Sequence, residues 1–454
     1  LTCHTRAHIF ALPSGGVARG GATPDQRRPG LVHHREIREI TLLALCPRRL
    51  RPVVAAIAAL VAAGLLASSA AAATVGPAGL AFYTPPSPLP NDPHGTLIWY
   101  RPTSVKLGLG VQSVSAWTVL YLSQSINGQA DPVTGTVIVP TKAWTGSGPR
   151  PVVDYAVGTQ GLAEAAAPSM QLVNGGEYEN SDIVKALNQN WAVEITDYAG
   201  YTTGGVPDYI VGASEGHAVL DIALAATQIP NDGISPGAPL AIWGYSQGGQ
   251  ASAWASQLWP SYAKSIDLVG DASGGVPSNL NDVANQLNGH LGAAFLLYSV
   301  IGLNEDYPAE INLDSYVTPA GLAAIKQAEG QKVEASLFTF AFHNIDQYTL
   351  NGETLAQLLA VPSIESAIDA QALGTTPITV PMFHYHARSD EIVPLAQDEA
   401  LNAAYCKLGD TVEFKLYAFG HIAGDFEGAP DSISWIAARF AGTPAPDNCS
   451  TSPS

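Results

Sequence analysis

The 454-residue chain reads as an α/β fold: a mostly parallel sheet covered by helices and interrupted by a long helical insertion. Three observations predict it. Short apolar runs alternate with helical stretches after Pro149. The alternation stops over residues 276–375. Strand character then returns at Ile378.

The elements follow in order. Residues 74–110 are rich in proline and read as an extended arm. Trp117–Ser125 and Gly135–Pro140 read as strands joined by the polar turn Asn127-Gly128-Gln129-Ala130. Pro151–Val157, Trp191–Thr196, Leu240–Gly244 and Ile266–Gly270 are short apolar strands. Between them, Ile183–Leu187 sits in a helical stretch, and Gly212–Thr227 and Gln247–Leu258 read as helices. Such alternation implies parallel strands covered on both faces. Residues 276–375 are mainly helical; Leu291–Leu303 is apolar nearly all round and suits a buried helix, being too short to span a membrane. Ile378–His386 and Thr411–Tyr417 are strands again, each followed by a helix. Residues 74–275 and 376–445 thus form one domain, 276–375 a helical cap, and 446–454 a tail.

The N-terminus reads as a leader. The first Met is Met170, which leaves the translation start open. Residues 1–52 hold an aperiodic Arg- and Gly-rich stretch ending in the basic group Arg48, Arg49 and Arg51. An apolar run, Val53–Ala67, and small residues up to a cleavage point after Ala73 make residues 53–73 a secretory signal. Its weak hydrophobicity and small-residue end argue against a membrane anchor.

Composition narrows the function. Charged residues are only 13% of the chain and the net charge is −18. Nine of the 13 Arg lie in residues 1–51; without residues 1–73 there are 12 basic against 36 acidic side chains. A body this acidic repels phosphate backbones, which argues against nucleic-acid binding. Export leaves Cys406 and Cys449 as one pair in an oxidising compartment, where they are expected to bridge. Neither has the C-x-x-C partner of a zinc site.

Gly244-Tyr245-Ser246-Gln247-Gly248 matches G-x-S-x-G, the sharp strand-to-helix elbow that exposes a nucleophilic serine. The pattern alone is weak, since Gly212-Ala213-Ser214-Glu215-Gly216 matches as well. Context separates them. Ser246 follows the apolar strand and precedes Gly248, Gly249, Ala251 and Ser252, small enough for a helix to pack tightly. Ser214 and Glu215 fall in the first turn of an ordinary helix.

A serine hydroxyl needs a base and the base an orienting acid, downstream in the order Ser, Asp or Glu, His. His421 lies in a loop beyond Thr411–Tyr417, and Asp390 just beyond Ile378–His386. Asp390 competes with Glu391 and Asp425; Glu391 is otherwise a solvated charge. The oxyanion needs two donors. Gln247 supplies one backbone N–H. Gly158, in the turn Gly158-Thr159-Gln160-Gly161, is favoured for the other, with Thr159 one register away. His384 and His386 share a strand face without an evident third metal ligand, and read as histidines packed in or behind the site. His94, His217, His290 and His343 carry no signal.

Tyr155-Ala156-Val157-Gly158-Thr159-Gln160-Gly161 followed by Ala166-Ala167-Pro168-Ser169 resembles the secretory lipases of fungi and actinobacteria. So do Asp197-Tyr198-Ala199-Gly200, Tyr209-Ile210-Val211-Gly212 with Leu220-Asp221, and Gly244 to Gly249; the resemblance covers roughly residues 80–445. It implies an α/β-hydrolase with a helical cap, no metal or organic cofactor, and hydrolysis of carboxylic esters, often acylglycerols. Ser246, Asp390 and His421 fall on the family's triad, and Gly158 with Gln247 on its oxyanion site. Many members have His where this chain has Val157, and Cys where it has Ala166; the second departure implies a missing disulfide near the oxyanion loop.

The expected protein is a secreted serine ester hydrolase whose partner is a lipid or small apolar ester, with transient contact at a lipid interface. The alternatives are an envelope acyltransferase using the same triad and a catalytically inactive envelope binding protein. A cutinase-like esterase shares the elbow, but this chain is long for one.

Overall fold

The computed structural model describes residues 73–451; the leader, the signal segment, Cys3 and Cys46 lie outside the described residues. Ten strands form one sheet: β1 (Thr74–Val75), β2 (Leu97–Thr103), β3 (Val114–Gln124), β4 (Ala130–Pro140), β5 (Val152–Ala156), β6 (Ala192–Thr196), β7 (Pro239–Tyr245), β8 (Asp267–Gly274), β9 (Met382–Ala387) and β10 (Val412–Tyr417). Their order is β1-β2-β3-β4-β6-β5-β7-β8-β9-β10. From β6 to β10 all neighbours are parallel, while β2, β3, β4 and β6 pair antiparallel in succession.

The parallel strands are buried, and their sequences show it: β5 (Val-Val-Asp-Tyr-Ala) and β6 (Ala-Val-Glu-Ile-Thr) have no exposed position. The helices Gly212–Ala226 and Gln247–Tyr262 pack together beside β7, and His421–Phe440 packs against β8 and β9. From β5 the chain moves first to β6 on one side and then to β7 on the other. The carboxyl ends of β5 and β7 therefore flank the point where the winding direction reverses, the usual place for a ligand crevice.

The proline-rich arm proved partly structured. Within residues 74–110, β2 joins the sheet beside β3, and Phe82 lies fully buried with its ring edge-on to Trp99. Proline content concealed the apolar run Leu97-Ile98-Trp99-Tyr100, whose burial outweighs it. Between β8 and β9 the chain forms helices from Leu280–Leu287 to Pro362–Asp369, whose apolar core around Tyr298, Ile301, Ala328 and Phe340 also takes in Leu162 and Tyr209, Ile210 and Val211. No helix among the described residues is long and apolar enough to cross a membrane.

Cys406, at the end of the helix Leu395–Leu408, is bridged to Cys449, with Cα atoms 5.5 Å apart. Closing a loop of 43 residues should restrict the unfolded chain by about 4 kcal/mol. The double variant Cys406→Ser, Cys449→Ser is therefore expected to lose about 2–4 kcal/mol of stability in urea unfolding, with the native fold retained.

Candidate active site

The elbow is where the sheet's backbone geometry becomes chemistry. Ser246 sits between β7 and the helix Gln247–Tyr262 with φ 59° and ψ −121°, a conformation that costs a non-glycine residue roughly 1–3 kcal/mol. Close packing holds it there. A Cβ on Gly248 would lie 1.9 Å from the Ala156 carbonyl oxygen on β5, and one on Gly244 would lie 2.2 Å from the Gly248 carbonyl oxygen. The two glycines of the motif are thus steric requirements of the turn. The Ser246 N–H donates to the Gly274 carbonyl of β8 at 2.9 Å.

Three residues distant in sequence converge on this turn. His421 Nε2 is 2.8 Å from Ser246 Oγ, and its Nδ1 is 2.7 Å from Asp390 Oδ2. Asp390 is locked by its own loop, since its Oδ1 accepts from the Ile392 and Val393 N–H groups at 2.9 and 2.8 Å. A carboxylate at Nδ1 keeps the proton on that nitrogen and leaves Nε2 to accept from the serine hydroxyl.

His421 was expected in a loop but is the first residue of the helix His421–Phe440. Glu391, expected to be a solvated charge, instead accepts from the His421 backbone N–H at 3.0 Å. Gly420 cannot cap the helix, and the Glu391 carboxylate satisfies a first-turn donor in its place. The carboxylate on the His421 ring is Asp390 and not Asp425, which is buried four residues further on and whose carboxyl burial pushes well above the ordinary range. Ser214, the second motif match, is buried in the first turn of Gly212–Ala226.

The oxyanion loop departs from expectation. The Gly158 N–H donates to Glu179 Oε2 at 2.9 Å and is not free to meet a substrate oxygen. Thr159 borders the Ser246 cavity instead. Its carbonyl accepts from Tyr178 Oη at 3.2 Å, and its hydroxyl lies 2.8 Å from Tyr209 Oη. Gln247 opens its helix, where the backbone N–H has no intrahelical partner. Its side chain donates to Glu215 Oε1 at 2.6 Å, which also accepts from the Ile210 N–H at 3.0 Å. Sequence reasoning missed Glu179 and Glu215. Glu215 lies in the second motif match but read only as a first-turn residue, Glu179 lies in no motif, and their burial without a cation reveals both.

Ser246 opens into a cavity of about 700 Å³. Phe295, Val333 and Leu337 of the helical segment and Ile422 form its apolar wall; Glu179 and Asp425 are also on its surface. A second cavity of about 840 Å³ lies inside the helical segment and is lined almost wholly by apolar side chains, Leu287, Leu296, Leu303 and Leu358 among them. Phe295 and Leu296 are adjacent on one helix and border the two cavities respectively. Among the described residues, no group of three or more His, Cys, Asp or Glu is arranged to hold a metal ion. His384 and His386 are both fully buried and approach the Asp398 carboxylate.

A sequence profile described as Secretory lipase matches residues 171–448, more than half of the chain. The chain belongs to the secretory lipase family. Among secretory lipase relatives, Lipase A of Arthroderma benhamiae is 29% identical over 391 residues, covering 82% of this chain and 81% of that protein. A Mycobacterium tuberculosis protein named as a probable inactive lipase is 27% identical over 379 residues, covering 81% and 83%. Candida antarctica lipase A in its closed state superposes with a TM-score of 0.71 at 26% identity, over 80% of this chain and 86% of that one. The shared architecture is the α/β-hydrolase sheet with flanking helices.

Several acids around the sheet and the site are buried without a cation. Burial pushes Glu215 up to about 8, and Glu177 and Asp271 up to about 7. These groups hold protons in the folded state that the unfolded chain releases near pH 4. Their contribution is therefore complete at acidic pH and is lost as pH rises toward 8. The thermal midpoint is expected to be several degrees higher at pH 5 than at pH 8; a calorimetric pH series checks this.

Proposed function

We propose that the chain is a secreted serine ester hydrolase acting on acylglycerols or other apolar carboxylic esters. The observation that carries this reading is the His421 ring placed between Ser246 Oγ at 2.8 Å and Asp390 Oδ2 at 2.7 Å. Ser246 attacks the ester carbonyl while His421 takes its proton, later given to the leaving alcohol. Asp390 holds the imidazole tautomer and stabilises the imidazolium. The Gln247 N–H holds the oxyanion. Thr159 replaces Gly158 as the second donor, because the Gly158 N–H is already engaged by Glu179. Water then enters by the same base and releases the acid.

The two cavities support a substrate with a long apolar acyl group. The acyl chain leaves Ser246 along Phe295 and continues into the apolar cavity of the helical segment. Residues 276–375 then act as the cap that binds it. The basic, apolar and small-residue run of residues 48–73, with the family's description as secretory, supports export. One relative is named as probably inactive, but the complete Ser246–His421–Asp390 contact chain favours activity here.

Ser246→Ala is expected to lower ester hydrolysis roughly ten thousand- to a million-fold and to abolish labelling by a fluorophosphonate, with the melting transition intact. Undiminished hydrolysis in that variant would end the proposal. The rate should also fall as pH drops, because a protonated His421 cannot accept the serine proton. A kcat/KM profile that stays flat from neutral to acidic pH would contradict that role.

A further inference from the structure

Behind the triad, on β9, lies a second line of buried charge. His386 Nδ1 is 2.5 Å from Asp398 Oδ2, a close ion contact. Its Nε2 is 3.1 Å from the Val393 carbonyl oxygen and 3.5 Å from Asp390 Oδ2. Each ring nitrogen has an acceptor within reach, Val393 and Asp390 at Nε2 and Asp398 at Nδ1, the last by close approach rather than an aligned hydrogen bond. A neutral imidazole would turn a lone pair toward one of them, so the arrangement is that of a doubly protonated ring. His386, Asp390 and Asp398 have no solvent-exposed side-chain surface. Titratable neighbours are His384, whose Nε2 is 3.2 Å from the same Asp398 oxygen, His421 on the far side of Asp390, and the phenols of Tyr245 and Tyr405, which burial and nearby carboxylates, Asp398 among them, push up.

Resting on the serine-hydrolase reading, we propose that His386 is a positioning residue of the site. Held as an imidazolium between Asp398 and Asp390, it fixes the Asp390 carboxylate and tempers how strongly that carboxylate retains a proton on His421. The geometry allows both effects. Asp390 Oδ1 is held by two backbone donors, and Oδ2 is shared between His421 and His386. A cation behind Oδ2 draws off part of the field that reaches His421. Burial alone would push the Asp398 carboxyl up, but His386 and His384 beside it hold it down to about 2. Asp398 therefore remains the counter-charge throughout the working pH range.

The test compares His386→Gln and Asp398→Asn with the wild type. His386→Gln keeps a hydrogen-bonding side chain but removes the cation, leaving Asp398 uncompensated. Its kcat should fall about tenfold at nearly constant KM, and the acid limb of kcat/KM should move up by about one pH unit. Asp398→Asn removes the anion and with it the proton on His386, so its acid limb should move less. An acid limb unmoved in both variants, whatever the loss of rate, reduces His386 to packing and overturns the inference. Nitrogen-15 histidine NMR of the resting wild type at neutral pH is a readout that needs no turnover. Two protonated nitrogens on His386 are expected, and a neutral ring overturns the inference even if neither variant folds. Failure of the hydrolase reading would show separately, as a wild type that no fluorophosphonate labels.

Discussion

At the base of the site, peptide backbone meets peptide backbone. The elbow helix runs so close to β5 that any side chain on Gly248 would enter the Ala156 carbonyl, and β7 turns so tightly that Gly244 faces the same limit. This contact sets the strained Ser246 conformation and brings the carboxyl ends of β5 and β7 together. It also sets Thr159 beside the cavity into which Ser246 opens. The carboxylate and the imidazole are then delivered by the loops after β9 and β10, beyond β8 in the sheet, whose carboxyl ends open on the same rim. Strain at one residue is held by a sheet whose parallel strands are buried, so the cost is spread over the best-packed part of the molecule.

Electrostatics pull in two directions. The sheet and the loop beside the site bury carboxyls that are comfortable only when protonated, Glu177, Glu215 and Asp271 among them. The proposed hydrolysis needs a neutral His421, which favours higher pH. Stability and activity therefore respond to pH with opposite sign, and the working range lies where the two overlap. The excess of acidic side chains outside the leader fits this compromise, since protonation relieves their mutual repulsion as well.

Much of this was legible in the sequence. Apolar runs alternating with helical periods pointed to the parallel strands, because strands buried on both faces are mostly apolar; the buried Asp154 and Glu194 are exceptions the pattern did not mark. The elbow was legible because steric exclusion demands glycine, and the order Ser246, Asp390, His421 because loops after successive parallel strands share one edge. The rest was hidden for physical reasons. Whether Gly158 or Thr159 presents its N–H depends on a partner 21 residues away, Glu179, that no local pattern marks. Glu391 looks like any surface acid until the helix it caps is in place. His384 and His386 were readable as a strand pair, but Asp398 lies on the next helix, and only folding brings it to them.

The loop of residues 158–161 shows how non-covalent contacts can hold a segment beside the site. Ala166 is fully buried beside this loop, which is held without a covalent tie of its own. A ring of buried polar contacts surrounds it. Glu179 takes the Gly158 N–H, and Gln160 Nε2 donates to Glu177 Oε1 at 3.2 Å. Gln171 bonds Gln160, and Tyr198 Oη donates to the Val157 carbonyl at 2.8 Å. The Val333 N–H reaches the Gln160 carbonyl at 3.0 Å, which ties the loop to the helical segment. Each such bond contributes only about 1 kcal/mol net, but leaving a buried partner unpaired costs more, so the set constrains the loop cooperatively. Unlike a disulfide, this brace is partly ionisable. Burial, reinforced by Asp425 and Glu177, pushes Glu179 well above the ordinary carboxylate range. Its proton thus belongs to the same balance of charge that governs the sheet and His421, and the loop that presents Thr159 is coupled to it.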